Sequence, residues 1–224
     1  MHSTIIEDYK KTLRLNDFQR SIIVGKLLGD GHLESGDKGK TYRLKIEHSI
    51  KQKEYVDWLY EQLRAWTRQV PKVRSRQVRL PQGTSAVYES YGFTTYAHSA
   101  FRFYSQQFYL KDGKKVIPKL IRKLLTPTAL AIWYLDDGSF KSEHHRTFII
   151  HSHGYQKKDL ERVREAFEKL GVKSSLHRQN RAEGTYWRIY ILSESAERFA
   201  QIVKEIISFV YSMNYKLGNT LPKE

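Results

Sequence analysis

Two carboxylates placed alike carry the first chemical signal in the sequence. Asp30 closes the run NDFQRSIIVGKLLGDG, Asp137 closes LTPTALAIWYLDDG about half a chain later, and a glycine follows each directly. Each acid ends an apolar, helix-spaced run, where free carbonyls and the negative end of the helix dipole add to its charge. Gly25 and Gly29 lie four apart on one helix face, where missing side chains admit a second backbone, and Ala131 offers the same from the other run. Helices packed on those faces bring their acids together. Two carboxylates so placed repel, and a divalent cation relieves the repulsion. Oxygen ligands without sulfur favour magnesium or a similarly hard ion.

The elements that must position these acids repeat as well. Asn16 caps the first run, with apolar residues at Phe18, Ile22, Ile23, Leu27 and Leu28. Thr126 caps the second, with Pro127 at the first helical position. After Asp30 come strand-like stretches at 41–49, 72–80 and 85–93, a helix over about 51–67 and another from His98. After Asp137 the counterparts are strands at 146–153, 172–179 and 185–192 and helices over about 156–170 and 195–211. Pro81-Gln82-Gly83 and Glu183-Gly184 supply hairpin turns. Each half therefore reads helix, two strands, helix, two strands, helix, the pattern of an ancient duplication. No Gly/Ser-rich linker divides the halves.

Composition narrows the partner. Lys and Arg number 39 against 24 Asp and Glu, a formal charge of +15, which points to a polyanion. Fifteen Tyr and four Trp among those bases favour nucleic acid, on whose bases and sugars aromatics pack. The absence of cysteine excludes disulfides, thiolate zinc sites and a Cys nucleophile, and fits a reducing, intracellular setting, organelle or microbial cytoplasm. The longest apolar stretch, Ala129 to Leu135, is too short to cross a bilayer, so no membrane partner is expected, and residues 1–16 lack a secretory pattern.

On these residues the chain resembles a known family. IVGKLLGDG (23–31) and LAIWYLDDG (130–138) are similar to the two copies of the nine-residue motif of the LAGLIDADG homing endonucleases, in their monomeric, two-motif branch. The resemblance implies an α+β fold of two pseudo-symmetric αββαββα half-repeats, each with a four-stranded antiparallel saddle, packed through the two motif helices. It divides the chain into an N-terminal extension (1–15), a first half-repeat (16–124) and a second (125–224). It also implies a monomeric enzyme that hydrolyses both strands of a long, asymmetric DNA site with Mg2+, for which Mn2+ substitutes. Asp30 and Asp137 would be the catalytic, metal-binding acids, and Gly29 and Asp136 would offer the metal their backbone carbonyls. Lys115 in KKVIPK and Lys216 in NYKLGN resemble the family's basic residues beside each scissile phosphate. Lys26 and Gly29 depart from the family pattern, which implies unequal halves and unequal nicking rates. Two other roles stay open on the same scaffold: an RNA maturase that binds its host group I intron, and a catalytically silent DNA-binding regulator.

In such a saddle, strand alternation selects the residues that face DNA. In the first half these are Arg43, Lys45 and Glu47, then Lys72, Arg74 and Arg76; in the second, Lys173, His177 and Gln179, then Tyr186, Arg188 and Tyr190. Trp187, Ile189 and Ile191 face the core. Arginine suits guanine edges and glutamine adenine, whereas other bases neutralise phosphate. The pairs His151/His153 and His144/His145 lack the further ligands of a zinc motif. Gly29-Asp30-Gly31 with Gly36 has the wrong spacing for a dinucleotide fingerprint.

Overall fold

Both acid-bearing runs fold as the helices their caps predict. A computed structural model of the chain describes residues 4–79, 82–142, 144–145, 147–181 and 184–218. Pro81 and Glu183 of the expected hairpin turns, Leu80 and Arg146 at expected strand ends, and the residues after 218 lie outside them. Helix α1 (Thr4–Thr12) belongs to the N-terminal extension and docks on the first half, where Tyr9 Oη donates to the Ala65 carbonyl at 2.9 Å. Helix α2 (Asp17–Leu28) opens with a capping box: Asn16 Oδ1 accepts from Gln19 N at 2.8 Å and Asn16 N donates to Gln19 Oε1 at 3.2 Å. The second motif helix, described here as α6 (Pro127–Asp137), has Thr126 Oγ1 on Ala129 N at 3.1 Å.

The rest of the first half is β1 (His32–Glu34), β2 (Arg43–Ser49), α3 (Lys53–Leu63), β3 (Lys72–Arg79), β4 (Ser85–Thr94) and α4 (Arg102–Phe108); α5 (Ile121–Leu124) leads into α6. The second half continues with β5 (Gly138–Phe140), β6 (Phe148–His151), α7 (Lys157–Glu168), β7 (Ser174–Arg181), β8 (Gly184–Ile191) and α8 (Ala196–Ile207). Each half forms an antiparallel sheet of the same order, β1-β2-β4-β3 and β5-β6-β8-β7. The expected two-repeat α+β architecture is thus the observed one. The short strands β1 and β5 begin where the motifs end and hang each sheet from its acid-bearing helix.

Element bounds differ from expectation in several places: the helix expected from His98 opens with the 3-10 turn Ser99–Phe101, and the strand expected at 146–153 is Phe148–His151. The helices expected over 51–67 and 195–211 are shorter α-helices: α3 lies between the 3-10 turns Ile50–Gln52 and Arg64–Trp66, and α8 follows the 3-10 turn Ser193–Ser195. The expected strand at 172–179 begins two residues later, so Lys173 precedes β7.

The core runs through both halves. Every residue of α6 from Ala129 to Leu135 is buried, and its central position explains why it is apolar all round rather than on one stripe. Close approach of α2 is built into the sequence: a Cβ at Gly25 would stand 2.6 Å from both the Ala129 carbonyl and the Ile132 Cβ. At such separations only glycine fits.

Candidate active site

The paired helices bring the two acids to one end of their interface. Asp30 follows the α2 cap and its side chain is half exposed, at 51%. Asp137 is the last residue of α6 and lies deeper, with the Trp133 indole N–H donating to its Oδ2 at 3.1 Å. Burial first, then the charges of Asp136 and Asp30, push the Asp137 carboxyl up to about 7, with the indole N–H and Lys115 opposing. A carboxyl so raised marks a place short of positive charge. Beside His48, whose Nδ1 lies 3.7 Å from the Asp30 carboxylate, the donors of the two motifs are oxygens: the Asp30 and Asp137 carboxylates and the Gly29 and Asp136 carbonyls. That donor set fits a hard divalent ion.

Each half also sends one lysine to the carbonyl preceding an acid. Lys115 Nζ donates to Gly29 O at 2.5 Å, and Lys216 Nζ donates to Asp136 O at 3.2 Å and Gly138 O at 2.9 Å. Burial pulls Lys115 down to about 8 and lowers Lys216, while the surrounding aspartates hold both up. Lys115 is placed by a tight turn at Gly113 (φ +81°), with the bridge Tyr109↔Lys115 at its neck. Lys216 ends the 3-10 segment Tyr211–Lys216, fixed by the buried Tyr134 hydroxyl on its carbonyl at 2.6 Å. Its chain neighbour Lys114 is exposed, whereas Lys115 is half-buried and faces the centre.

The carboxylate of Asp136 does something that sequence reasoning missed. Expected to offer its carbonyl, Asp136 also sends its side chain, fully buried, across to the first half. There it meets Lys26 Nζ at 2.7 Å, the Tyr55 hydroxyl at 3.0 Å and the Asp30 backbone N–H at 2.9 Å. Lys26, itself 0% exposed, also donates to His48 Nε2 at 2.6 Å. That leaves the His48 proton on Nδ1, which faces Gln52 Oε1 at 3.1 Å. Burial and the Lys26 charge depress the His48 imidazolium, so the ring is neutral. The available signals were a lysine inside an apolar helix, which demands a buried partner, and a histidine at an inward position of β2.

The saddles carry the expected outward residues. In the first, Arg74 pairs with Glu47 at 2.7 Å, Lys45 with Glu47 at 3.1 Å and Arg43 with Glu34 at 2.8 Å, while Lys72 and Arg76 are exposed. In the second, register sets His177 opposite Arg188 and Gln179 opposite Tyr186 on one face, and the His177 and Tyr190 rings stack at 4.0 Å. Ile189 and Ile191 are buried and Trp187 is half-buried against the core. Lys173 reaches Glu194 at 3.4 Å instead of lying within the strand. A groove of about 490 Å³ runs from Asp30 past Lys45 and Glu47, joining the centre to the first saddle. Among the described residues the only metal-competent group of His and acidic side chains is Asp30, His48 and Asp136, with ligand atoms within 4.8 Å of one another; the other histidines form none. No helix is long and apolar enough to cross a membrane.

Comparison with known proteins bears on this arrangement. The homing endonuclease I-WcaI, solved bound to its DNA recognition sequence, superposes over 98% of this chain and 95% of its own with a TM-score of 0.82 at 23% identity, which establishes the shared fold. DNA endonuclease I-ChuI of Chlamydomonas applanata is 26% identical over 215 residues, covering 92% of this chain and 97% of that protein. Cytochrome b mRNA maturase bI2 of Saccharomyces cerevisiae is 30% identical over 223 residues, which is 90% of this chain but 47% of the maturase, so the chain spans under half of that relative. Residues 20–199, from the first turn of α2 into α8, match the model of the LAGLIDADG DNA endonuclease family, and the chain belongs to that family.

Proposed function

We propose that the chain is a site-specific DNA endonuclease that hydrolyses one phosphodiester on each strand of a long, asymmetric duplex site with a divalent metal. The observation that carries this reading is the convergence of Asp30 and Asp137 at one end of the helix pair, with Lys115 and Lys216 on the carbonyls that precede them. Asp30 and Asp137 would hold the ion together with the carbonyls of Gly29 and Asp136. The chemistry a bound divalent ion supplies is activation of water and stabilisation of the leaving 3′ oxygen. Mg2+ is the ion we assign, with Mn2+ as a working substitute.

The chain's own groups do the rest. Lys115 and Lys216, desolvated and set beside the acids, place fixed positive charge where negative charge builds on each scissile phosphate, and such charge is strongest in a site that excludes water. Asp137, kept in place by the Trp133 N–H, serves one strand and Asp30 the other. On the saddles, Arg43, Lys45, Glu47, Lys72, Arg74 and Arg76 from the first half and His177, Gln179, Tyr186, Arg188 and Tyr190 from the second face the major groove, with Lys173 at the margin. The cleft of about 610 Å³ beside Lys115, rimmed by Lys114, Lys119, Lys158 and Arg162, suits the flanking phosphates. We assign residues 1–15 to an extension, 16–124 and 125–224 to the half-repeats, and one chain to each enzyme. We place the enzyme inside the cell, in an organelle or a microbial cytoplasm.

Selection on a randomised-target duplex library tests the proposal, with wild type beside Asp30→Asn and Asp137→Asn, each with Mg2+ or EDTA. One enriched sequence, cut only with metal and spared by both variants, is the expected result; a folded, DNA-binding protein that never cuts would overturn it. A second reading, intron RNA binding, draws support from the 30% identity to a protein named as an mRNA maturase. It predicts specific binding to the host intron transcript, measured by filter retention against an unrelated RNA.

A further inference from the structure

Lys26 stands where a metal ion would otherwise go. Asp30, His48 and Asp136 offer ligand atoms within 4.8 Å of one another, a spacing that suits one cation, yet the Lys26 ammonium already lies among them. It bridges both Asp136 oxygens, at 2.8 and 2.7 Å, and takes the His48 Nε2 lone pair at 2.6 Å. Asp136 is then saturated, because the Tyr55 hydroxyl occupies Oδ1 and the Asp30 N–H occupies Oδ2. Only Asp30 keeps carboxylate oxygens open, its nearest approach to His48 being 3.7 Å.

The local sequence is shaped around this cation. A Cβ at Gly29 would run into the Asp136 carboxylate, with the Asp136 Cβ 2.6 Å away, and a Cβ at Gly31 would stand 2.8 Å from the Lys26 Cβ. The glycine on each side of Asp30 thus leaves room for one partner of the ion pair. The Gly31 N–H also donates to the Lys26 carbonyl at 2.7 Å, folding the acid-bearing turn back over the lysine. Among the described residues the second half has no equivalent. Trp133, four residues before Asp137 as Lys26 is four before Asp30, bonds the acid of its own helix instead.

We propose that Lys26 is a positioning residue: a resident cation that keeps a divalent ion out of the Asp30–His48–Asp136 cluster and, through Asp136, holds the Asp30 backbone so that its carboxylate turns outward. The second part rests on the endonuclease reading; the first does not. A buried pair broken on one side leaves an uncompensated charge, so a double variant without either charge guards against simple unfolding.

The test compares wild type, Lys26→Met and Lys26→Met/Asp136→Leu. Mn2+ bound per chain is counted by electron paramagnetic resonance without DNA, and the two strands of the cognate site are followed separately for nicking. Lys26→Met should bind one more Mn2+ than wild type, and the double variant should lose that extra ion. In the double variant the strand served by Asp30 should be nicked at least tenfold more slowly, in kcat rather than KM, and should be slowed more than the other strand. An unchanged Mn2+ count in folded Lys26→Met overturns the exclusion of metal whether or not any DNA is cut. If Lys26→Met does not fold, strand-resolved nicking by the double variant decides the positioning role. Wild-type rates there, or equal slowing of both strands, overturn it and reduce Lys26 to a fold-stabilising ion.

Discussion

Asp30 and Asp137 hold the same place in a duplicated fold and live in different electrostatic surroundings. Asp30 is half exposed, and the second half tethers its backbone through Asp136. Asp137 is sunk at the end of α6, held by a tryptophan of its own helix, and pushed up to about 7. The lysines repeat the inequality: Lys115 donates to one carbonyl and Lys216 to two. A duplicated scaffold therefore fixes where the acids sit, while the residues one and four positions before each acid fix how it is held. Gly29 and Lys26 take those positions in one half, Asp136 and Trp133 in the other. Lys26 and Asp136, each unlike its counterpart, are partners of each other, so the departure in one half answers the departure in the other.

The sharpest way to break the comparison is to disarm one half at a time. Asp30→Asn and Asp137→Asn should each slow nicking of one strand by about a thousandfold, as removal of a group that acts in the reaction does, with DNA affinity within about threefold of wild type. Supercoiled plasmid bearing the site should accumulate as the nicked circle with either variant, and strand-specific end labels should report opposite strands. Both variants stalling on the same strand would show that the acids do not divide the work.

Stability should separate the carboxylates differently. Asp136→Ala leaves Lys26 buried without a counter-charge and should cost about 3–5 kcal/mol, whereas Asp30→Ala removes a half-exposed group and should change stability by less than about 1 kcal/mol. Urea unfolding of the metal-free protein measures both, and similar losses would contradict the proposed burial of the pair. A smaller effect, about 1–3 kcal/mol, is expected for Gly29→Ala, whose new methyl meets Asp136, while Gly36→Ala, with nothing within 4 Å, should be neutral.

Much of this was legible in the sequence, and the remainder was hidden for identifiable reasons. Asn16 and Thr126 announced their helices because capping is local chemistry, and alternation put Ile189 and Ile191 inside and Arg188 outside because a strand has a strict period of two. The first strand of each half, β1 and β5, belonged to the expected pattern but had no assignable bounds, since three residues are too few to display a period. The acids followed from motif and repeat; Lys115 and Lys216 needed the family resemblance, because a loop lysine has no periodic signature. The link between Lys26, His48 and Asp136 joins residues far apart in the chain, and no local pattern reveals which partner a buried lysine has chosen.

The raised Asp137 carboxyl supplies the gentlest test of the inequality. In the unfolded chain an aspartate titrates at ~3.9, and in the folded, metal-free protein burial, then the charges of Asp136 and Asp30, push this one up to about 7. Below the lower value both states are protonated and nothing is lost. As pH rises towards the higher value, the unfolded state releases its proton while the folded state retains it, so stability falls and then stays level. Partial exposure screens the penalty, and a loss of about 1 kcal/mol, or roughly 2–4 °C in Tm, is the expected scale. The Tm of wild type should therefore drop by that much relative to Asp137→Asn between pH 5 and pH 8 in EDTA. Magnesium should restore it, because a cation beside the carboxylate favours the ionised form. An equal pH slope in wild type and variant would show that burial does not hold the Asp137 carboxyl above its ordinary range, and would remove the electrostatic side of the contrast between the halves.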